Sequence, residues 1–212
     1  MNTLARTLAA MWLCVWWVSC ALYTPQYDIS SRSEYDISLR EVVASSQVKD
    51  IFGEGRIVRA DSADIHSYVF ENDMIRIAWV PTEISLAFTL ENKTDDSLRI
   101  MWKDAIYIDV EGATVTVTHS GVKYGELNYT DGRVHRPSVV LSKGSMSDMV
   151  LPRPNVRAPG GMMLGGHVTS LLPGDAESYV GKTIRVLLPL KMEVAVVEYT
   201  FVFSIDGQMT GK

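Results

Sequence analysis

The chain has 212 residues, of which 47% are hydrophobic, and its 20 Lys and Arg against 25 Asp and Glu give a formal net charge of -5. This composition is typical of one globular domain and excludes wholesale disorder. The basic residues form no dense cluster, and phosphate binding needs concentrated positive charge, so nucleic acid is excluded as an expected partner.

The first twenty residues have the pattern of an export signal. Arg6 supplies a positive charge, an apolar run spans residues 8–18, and Ser19 and Cys20 follow. A charged start, an apolar core of about 7–15 residues and small residues before a cut are typical of secretory signals. The run is short for a transmembrane helix, which needs about 20 apolar residues. An uncleaved anchor, or a signal cut elsewhere, is the alternative interpretation.

The end of this segment, Val18-Ser19-Cys20, resembles the lipobox of bacterial lipoproteins, although Trp17 stands where that class prefers Leu. The resemblance implies cleavage before Cys20, acylation of this new N-terminal residue and attachment to the membrane. Ala21 after the cysteine implies the outer membrane, facing the periplasm or the cell surface. The other cysteine, Cys14, lies inside the apolar run, so the expected mature chain has no cysteine pair for a disulfide.

These signals divide the chain into three predicted parts. Residues 1–19 are the lipoprotein signal peptide, residues 20–52 the lipidated cysteine with a tether and a possible short helix over 39–52, and residues 53–212 a β-sandwich domain. In the predicted tether, Tyr-Asp-Ile-Ser at residues 27–30 recurs at residues 35–38. We interpret the recurrence as a chance duplication in a polar spacer, with a recognition repeat as the alternative.

From Ile65 onward, apolar and polar residues alternate with the period of two that indicates half-buried strands. Strands are predicted at residues 65–70, 74–79, 84–90, 98–102, 106–110, 115–117, 139–141, 146–151, 183–190 and 195–205. Turns are expected at residues 72–73, 92–96, 111–112 and 143–144, the first and last of these as hairpins.

Many short strands without a long helix predict an all-β, antiparallel, immunoglobulin-like β-sandwich, because alternating strands need a second sheet to cover their apolar face. A closed barrel is the alternative. Trp79 and Trp102 are expected core residues, since one buried aromatic side chain removes about 150–250 Å² from water.

The search for catalytic chemistry finds little support for an enzyme. None of the histidines is paired at the spacing of a helical zinc site, and no Gly-x-Ser-x-Gly motif is present. We therefore expect no catalytic residues, metal or cofactor. The alternative is an envelope protein that binds a small ligand or a metal, or an enzyme, using loop residues near His119, His135 and His167.

Two long irregular segments, at residues 121–137 and 152–166, are the candidate binding surfaces. Loops on a rigid scaffold often carry binding, Tyr and Arg are frequent at interaction hot spots, and Met adapts to varied apolar partners. The candidate partner-binding residues are Lys123, Tyr124, Tyr129, Arg133, His135 and Arg136 in the first loop and Met162, Met163 and Leu164 in the second. Solvated loops without a partner are the alternative.

Together these observations predict a membrane-anchored envelope lipoprotein whose β-sandwich is a non-catalytic interaction or structural accessory module. Its expected contacts are the membrane, through lipidated Cys20, and a protein partner in the envelope. A further alternative is a subunit of a larger assembly whose apolar last strand, at residues 194–205, pairs with a partner through a free edge.

Overall fold

The computed structural model describes residues 35–62, 65–122, 136–157, 167–172, 176–193 and 195–208. The predicted signal peptide, Cys20 and the first copy of the repeat lie outside these residues. Within them, no helix has both the length and the apolar composition needed to cross a membrane.

The described residues form an all-β fold in which the paired strands run antiparallel. The strands are β1 Tyr35–Ala44, β2 Arg56–Ser62, β3 Ile65–Glu71, β4 Ile75–Pro81, β5 Leu86–Asn92, β6 Leu98–Ile100, β7 Ile106–Ile108, β8 Thr114–Thr118, β9 Ser138–Val140, β10 Ser145–Pro152, β11 Val156–Arg157, β12 His167–Val168, β13 Thr183–Lys191 and β14 Val196–Gln208. An α-helix, α1, spans Ser46–Phe52, and short 3-10 helices span Trp102–Asp104, Arg153–Asn155 and Ala176–Tyr179.

The strands make two layers that are joined along one side. One layer has the order β10-β5-β4-β3-β2, and the other has β1-β14-β13-β7-β8, with β6 beside β13 and β9 beside β6. The layers join where β8 pairs with β10, at Thr118 with Leu151 and Val117 with Pro152. The result is a nearly closed, barrel-like antiparallel sheet. The all-β prediction is confirmed, whereas an immunoglobulin-like sandwich is not.

The main hydrophobic core lies between the two layers. Trp79 of β4 is fully buried, and its ring centroid lies 4.9 Å from that of Phe201 and 5.4 Å from that of Phe203, both on β14. Phe70 of β3 lies 5.7 Å from Tyr199, also on β14. Trp102 is buried at the other side of this core, so both predicted tryptophan anchors are confirmed.

Residues 35–52 correct the predicted tether, because they belong to the folded domain. The alternating side chains Tyr35, Ile37 and Leu39 are buried, and β1 pairs with β14 along its length. The helix is confined to α1, where the Ser45 side chain caps the N-terminus and Gly53, with φ of 74°, follows the last turn. The predicted boundary at residue 53 therefore falls inside the domain.

The predicted turns are present, but one of the hairpins that they predict does not form. The β3–β4 hairpin at residues 72–73 is confirmed, as is the turn with Gly112 between β7 and β8. The turn before Gly144 is present, with its N–H donating to the Leu141 carbonyl at 2.9 Å, but it does not join a hairpin. Instead β9 pairs with β6, and β10 pairs with β5 and β8.

The last strand is central in its layer. β14 pairs with β1 on one side and with β13 on the other. Both edges are therefore occupied over most of the strand, and the alternative in which residues 194–205 offer a free edge to a partner loses its basis.

Candidate functional site at the roots of the two long loops

Most of the predicted partner-binding residues lie outside the described residues. This holds for Lys123, Tyr124, Tyr129, Arg133 and His135 in the first loop and for Met162, Met163 and Leu164 in the second. Arg136 is described and exposed. The structure thus defines where the loops begin and end, and we call these flanking residues the loop roots.

A small apolar cluster connects the roots of both loops. Val122, at the start of the first loop, and Val156, before the second, pack with Ala87, Met149 and Leu151. Val80 and Val168 are partly buried against the same cluster. We call this set the loop-root cluster.

The loop-root cluster occupies the outer face of β5 and β10. Ala87 pairs directly with Met149, while the neighbouring pair of Phe88 and Asp148 points to the opposite face. Successive side chains of a strand alternate between the two faces of its sheet, so one pair of strands supports both the main core and the loop roots.

The second loop is closed at its base by β11 and β12. Val156 pairs with Val168 and Arg157 with His167. Just beyond this ladder, the Thr169 N–H donates to the Asn155 carbonyl at 3.0 Å, and the Asn155 side-chain amide donates to the Ser170 carbonyl at 2.9 Å. These bonds hold the two ends of the second loop together beside Val122.

The first loop is held at both ends by one side chain, Trp102. Its ring stacks on His119, which precedes the loop, with centroids 4.3 Å apart and planes 3° apart. Its Nε1–H donates to the hydroxyl of Ser138, which follows the loop, at 2.8 Å. Trp102 is almost fully buried, so a residue of the main core sets the separation between the two ends of this loop.

Asp148 fixes the entry to the same loop. His119 Nδ1 lies 3.0 Å from Asp148 Oδ2, while the backbone N–H and the hydroxyl of Ser120 donate to Asp148 Oδ1 at 3.0 Å and 2.7 Å. The Met149 N–H donates to Oδ1 as well, at 2.8 Å. His119 Nδ1 also lies 3.3 Å from the Gly121 backbone nitrogen, so it contacts both the carboxylate and the backbone at the loop entry.

The hydrogen bonds determine the charge of Asp148. Burial alone would raise the pKa of this carboxyl, but the hydrogen bond and charge of His119, with the bonds from Ser120 and Met149, outweigh burial and hold the pKa below its usual range. Asp148 is therefore ionised at neutral pH. The Ser120 hydroxyl donates to Asp148 and not to His119, so these three residues lack the serine-to-histidine contact of an acyl-transfer triad.

The three histidines of the alternative interpretation are not brought together by what the structure describes. His119 belongs to the loop root, His135 lies outside the described residues, and His167 is described only through its backbone in β12. In the described parts of the chain, no group of three or more His, Cys, Asp or Glu side chains is placed to hold a metal ion.

The opposite end of the domain carries α1 and a small cavity. The cavity measures about 190 Å³ and lies between α1, β1, β3 and β14, with Lys49, Phe70 and Tyr199 in its lining. The side-chain amide of Asn72 donates to the Tyr199 hydroxyl at 2.9 Å beside it. A Cβ at Gly55 would overlap the Phe70 ring, so glycine is required there. We call this end the helix pole, and we call the end that carries the loop-root cluster the loop pole.

Sequence reasoning missed the roles of Asp148 and Trp102. A signal for Asp148 was present, because it stands between Met146 and Val150 in the inward row of β10, where an unpaired charge would be costly. Its partners, His119 and Ser120, directly follow β8, and local periodicity cannot show this contact. No family model matches the chain, and no curated protein or solved structure was found to be significantly similar to it.

Proposed function

We propose that the protein is a lipid-anchored component of a bacterial cell envelope, and that its β-domain is a non-catalytic interaction module. Acylated Cys20 attaches the chain to the membrane, and the two long loops bind a protein partner. The observation that supports this proposal best is the loop-root cluster, which makes Val122 and Val156 neighbours. The start of the first loop and the base of the second are therefore adjacent.

The loop roots have the properties of a rigid platform. Trp102 and Asp148 are buried, and their contacts with His119, Ser120 and Ser138 fix the first loop at both ends. Fixed loop ends reduce the conformational entropy that is lost when a loop binds, and this favours affinity without requiring chemistry at the site.

Site-specific crosslinking in membranes tests the proposed partner. A photoreactive residue at Tyr129 should capture a protein, because this tyrosine lies in the first loop. The matched control is the same residue at Ile51 of α1, which is 70% exposed and lies at the helix pole. Met163 provides a second test position, in the second loop. Equal capture from Tyr129 and Ile51, or no capture from either Tyr129 or Met163, would contradict the proposal.

Mass spectrometry of the mature N-terminus tests the anchor. The proposal requires a chain that begins at an acylated Cys20, and a Cys20→Ala variant should not be processed at this position. An unmodified Cys20, or a terminus elsewhere, would refute lipidation while leaving the binding role of the loops to the crosslinking result.

An immunoglobulin-like sandwich stays a prediction for the finer architecture. It would require the two layers to separate along the side where Thr118 pairs with Leu151. Cross-strand nuclear Overhauser effects between these two residues distinguish the arrangements, since they are expected only if the two layers stay paired there.

A further inference from the structure

The chain enters the domain at the loop pole. The hydroxyl of Tyr35, the first residue of β1, donates to the Leu172 carbonyl at 3.1 Å. Leu172 is four residues after Val168, which packs on the loop-root cluster. The Leu171 N–H also donates to the Glu83 carbonyl at 2.8 Å, just after β4. The start of β1 and the base of the second loop therefore lie at the same end.

The helix pole is a full strand length away. β1 has ten residues, which at about 3.3 Å per residue span roughly 33 Å. At its far end α1 packs beside the β3–β4 turn, where the Asp73 N–H donates to the Phe52 carbonyl at 3.0 Å. From this turn β4 runs back to Val80 in the loop-root cluster.

The chain between Cys20 and β1 is short compared with this distance. Residues 21–34 number 14. A flexible chain of this length has a root-mean-square reach of roughly 20 Å and a maximum of about 50 Å. To bring the helix pole to the membrane, the segment would have to run back along roughly 33 Å of the domain, about two thirds of its maximum length and well beyond its root-mean-square reach, at a cost in entropy.

We propose that the loop pole is the membrane-facing side of the domain and is turned toward the bilayer that holds Cys20. This inference rests on the proposed lipidation of Cys20 and on the direction of β1. The helix pole, with its cavity, then points away from the membrane. A protein partner of the loops must be reachable at the surface of that bilayer.

Energy transfer to lipids measures this orientation directly. The chain from Cys20 onward contains one cysteine, which can be coupled to a maleimide lipid in phosphatidylcholine vesicles that contain acceptor-labelled lipid. A donor is placed, as a non-natural amino acid, at Val180 or at Ile51. Val180 is 49% exposed and lies near the start of β1. The N–H of the next residue, Gly181, donates to the carbonyl of Ile205, which pairs with Ile37 of β1. Ile51 is 70% exposed at the helix pole.

Energy transfer should be at least about twofold stronger from position 180 than from position 51, since a strand of roughly 33 Å that is tilted by about 35–45° in a barrel-like sheet still separates the two poles by about 25 Å in height. Equal transfer, or stronger transfer from position 51, would overturn the proposal. An inserted Gly/Ser segment of about 30 residues should reduce the difference, because it raises the reach to roughly 35–40 Å. If the difference in energy transfer between the two positions stays the same, the length of the tether does not determine the orientation of the domain.

The result separates this inference from the proposed function. Chemical coupling replaces acylation, so a failure of lipidation in cells would appear only in the mass spectrum of the N-terminus. The vesicles contain no other protein, so the orientation is measured without the proposed partner. A folded domain in both labelled variants is verified by circular dichroism before coupling.

Discussion

The main core and the loop-root cluster are built on opposite faces of the same two strands. Phe88 and Val150 face the main core, where large side chains from both layers meet. Ala87 and Met149 face outward and join Val122, Leu151 and Val156 in the loop-root cluster. The contrast indicates that the stability of the fold depends mainly on the face toward the main core. The outward face, with the loop-root cluster, determines where the loops begin and end.

The largest effect is expected from the main core. Replacing Trp79 by Ala should lower the free energy of unfolding by about 3–5 kcal/mol, because a large cavity would remain between β4 and β14. Urea denaturation measures this loss. Trp79→Phe should cost much less, since the indole N–H has no hydrogen-bond partner among the described residues. Equal losses for the two variants would contradict this account of the core.

A smaller effect is expected at the polar part of the loop root. Asp148→Ala should cost about 1–3 kcal/mol, because it leaves the buried His119 side chain and the neighbouring Ser120 without their hydrogen-bond partner. Amide hydrogen exchange at Ser120 and Gly121 should accelerate more than exchange within β4. The control is Asp96→Ala, in an exposed turn. A loss no greater than in the control would show that Asp148 does not fix the loop.

The apolar part of the loop root should matter locally. Val156→Ala removes two methyl groups, worth roughly 1.5 kcal/mol at about 0.8 kcal/mol for each. Exchange should increase at Val122 and Val168 while β14 stays protected. Val58→Ala, on a 49% exposed side chain of β2, is the matched control. Faster exchange throughout β14 would show that the two clusters are not separable.

The smallest effect is expected from pH. The folded-state pKa of Asp148 is lowered, so its contribution to stability is present above the ordinary carboxyl pKa of about 4 and is lost as pH falls through the folded value. Between pH 5 and pH 2.5 the wild type should lose more stability than Asp148→Asn, as measured by thermal unfolding. Parallel losses would contradict the assignment of a buried, ionised carboxylate.

The sequence allowed prediction of the elements that local patterns encode. Alternation located β3, β4, β13 and β14, and both core tryptophans, because a half-buried strand must alternate wherever it lies in the sheet. It did not reveal β1. Residues 35–40 also alternate, but their partner β14 comes at the far end of the chain, and the repeat favoured interpretation as a spacer.

Asn92 shows the same limit within a correct prediction. Residues 92–96 form the predicted turn, yet the Asn92 side chain is fully buried. Its amide donates to the carbonyls of Asp96 at 2.7 Å, Leu141 at 3.0 Å and Val140 at 3.3 Å. Two of these acceptors are distant in sequence. The polar contacts of the loop roots were missed for the same reason, since they join the residues after β8, strand β10 and the 3-10 helix before β7.

The pairing of β1 with β14 also determines how the domain responds to mechanical load. A pull on the chain before Tyr35, directed away from the loop pole, acts along β1. Ladder hydrogen bonds in an antiparallel pair lie perpendicular to the strands, so this force loads them together in shear. Arg40, paired with Asp206 at 3.0 Å, adds a cross-link along the same path. Tension on the proposed N-terminal anchor would thus be shared over a whole strand and not concentrated on one bond at a time.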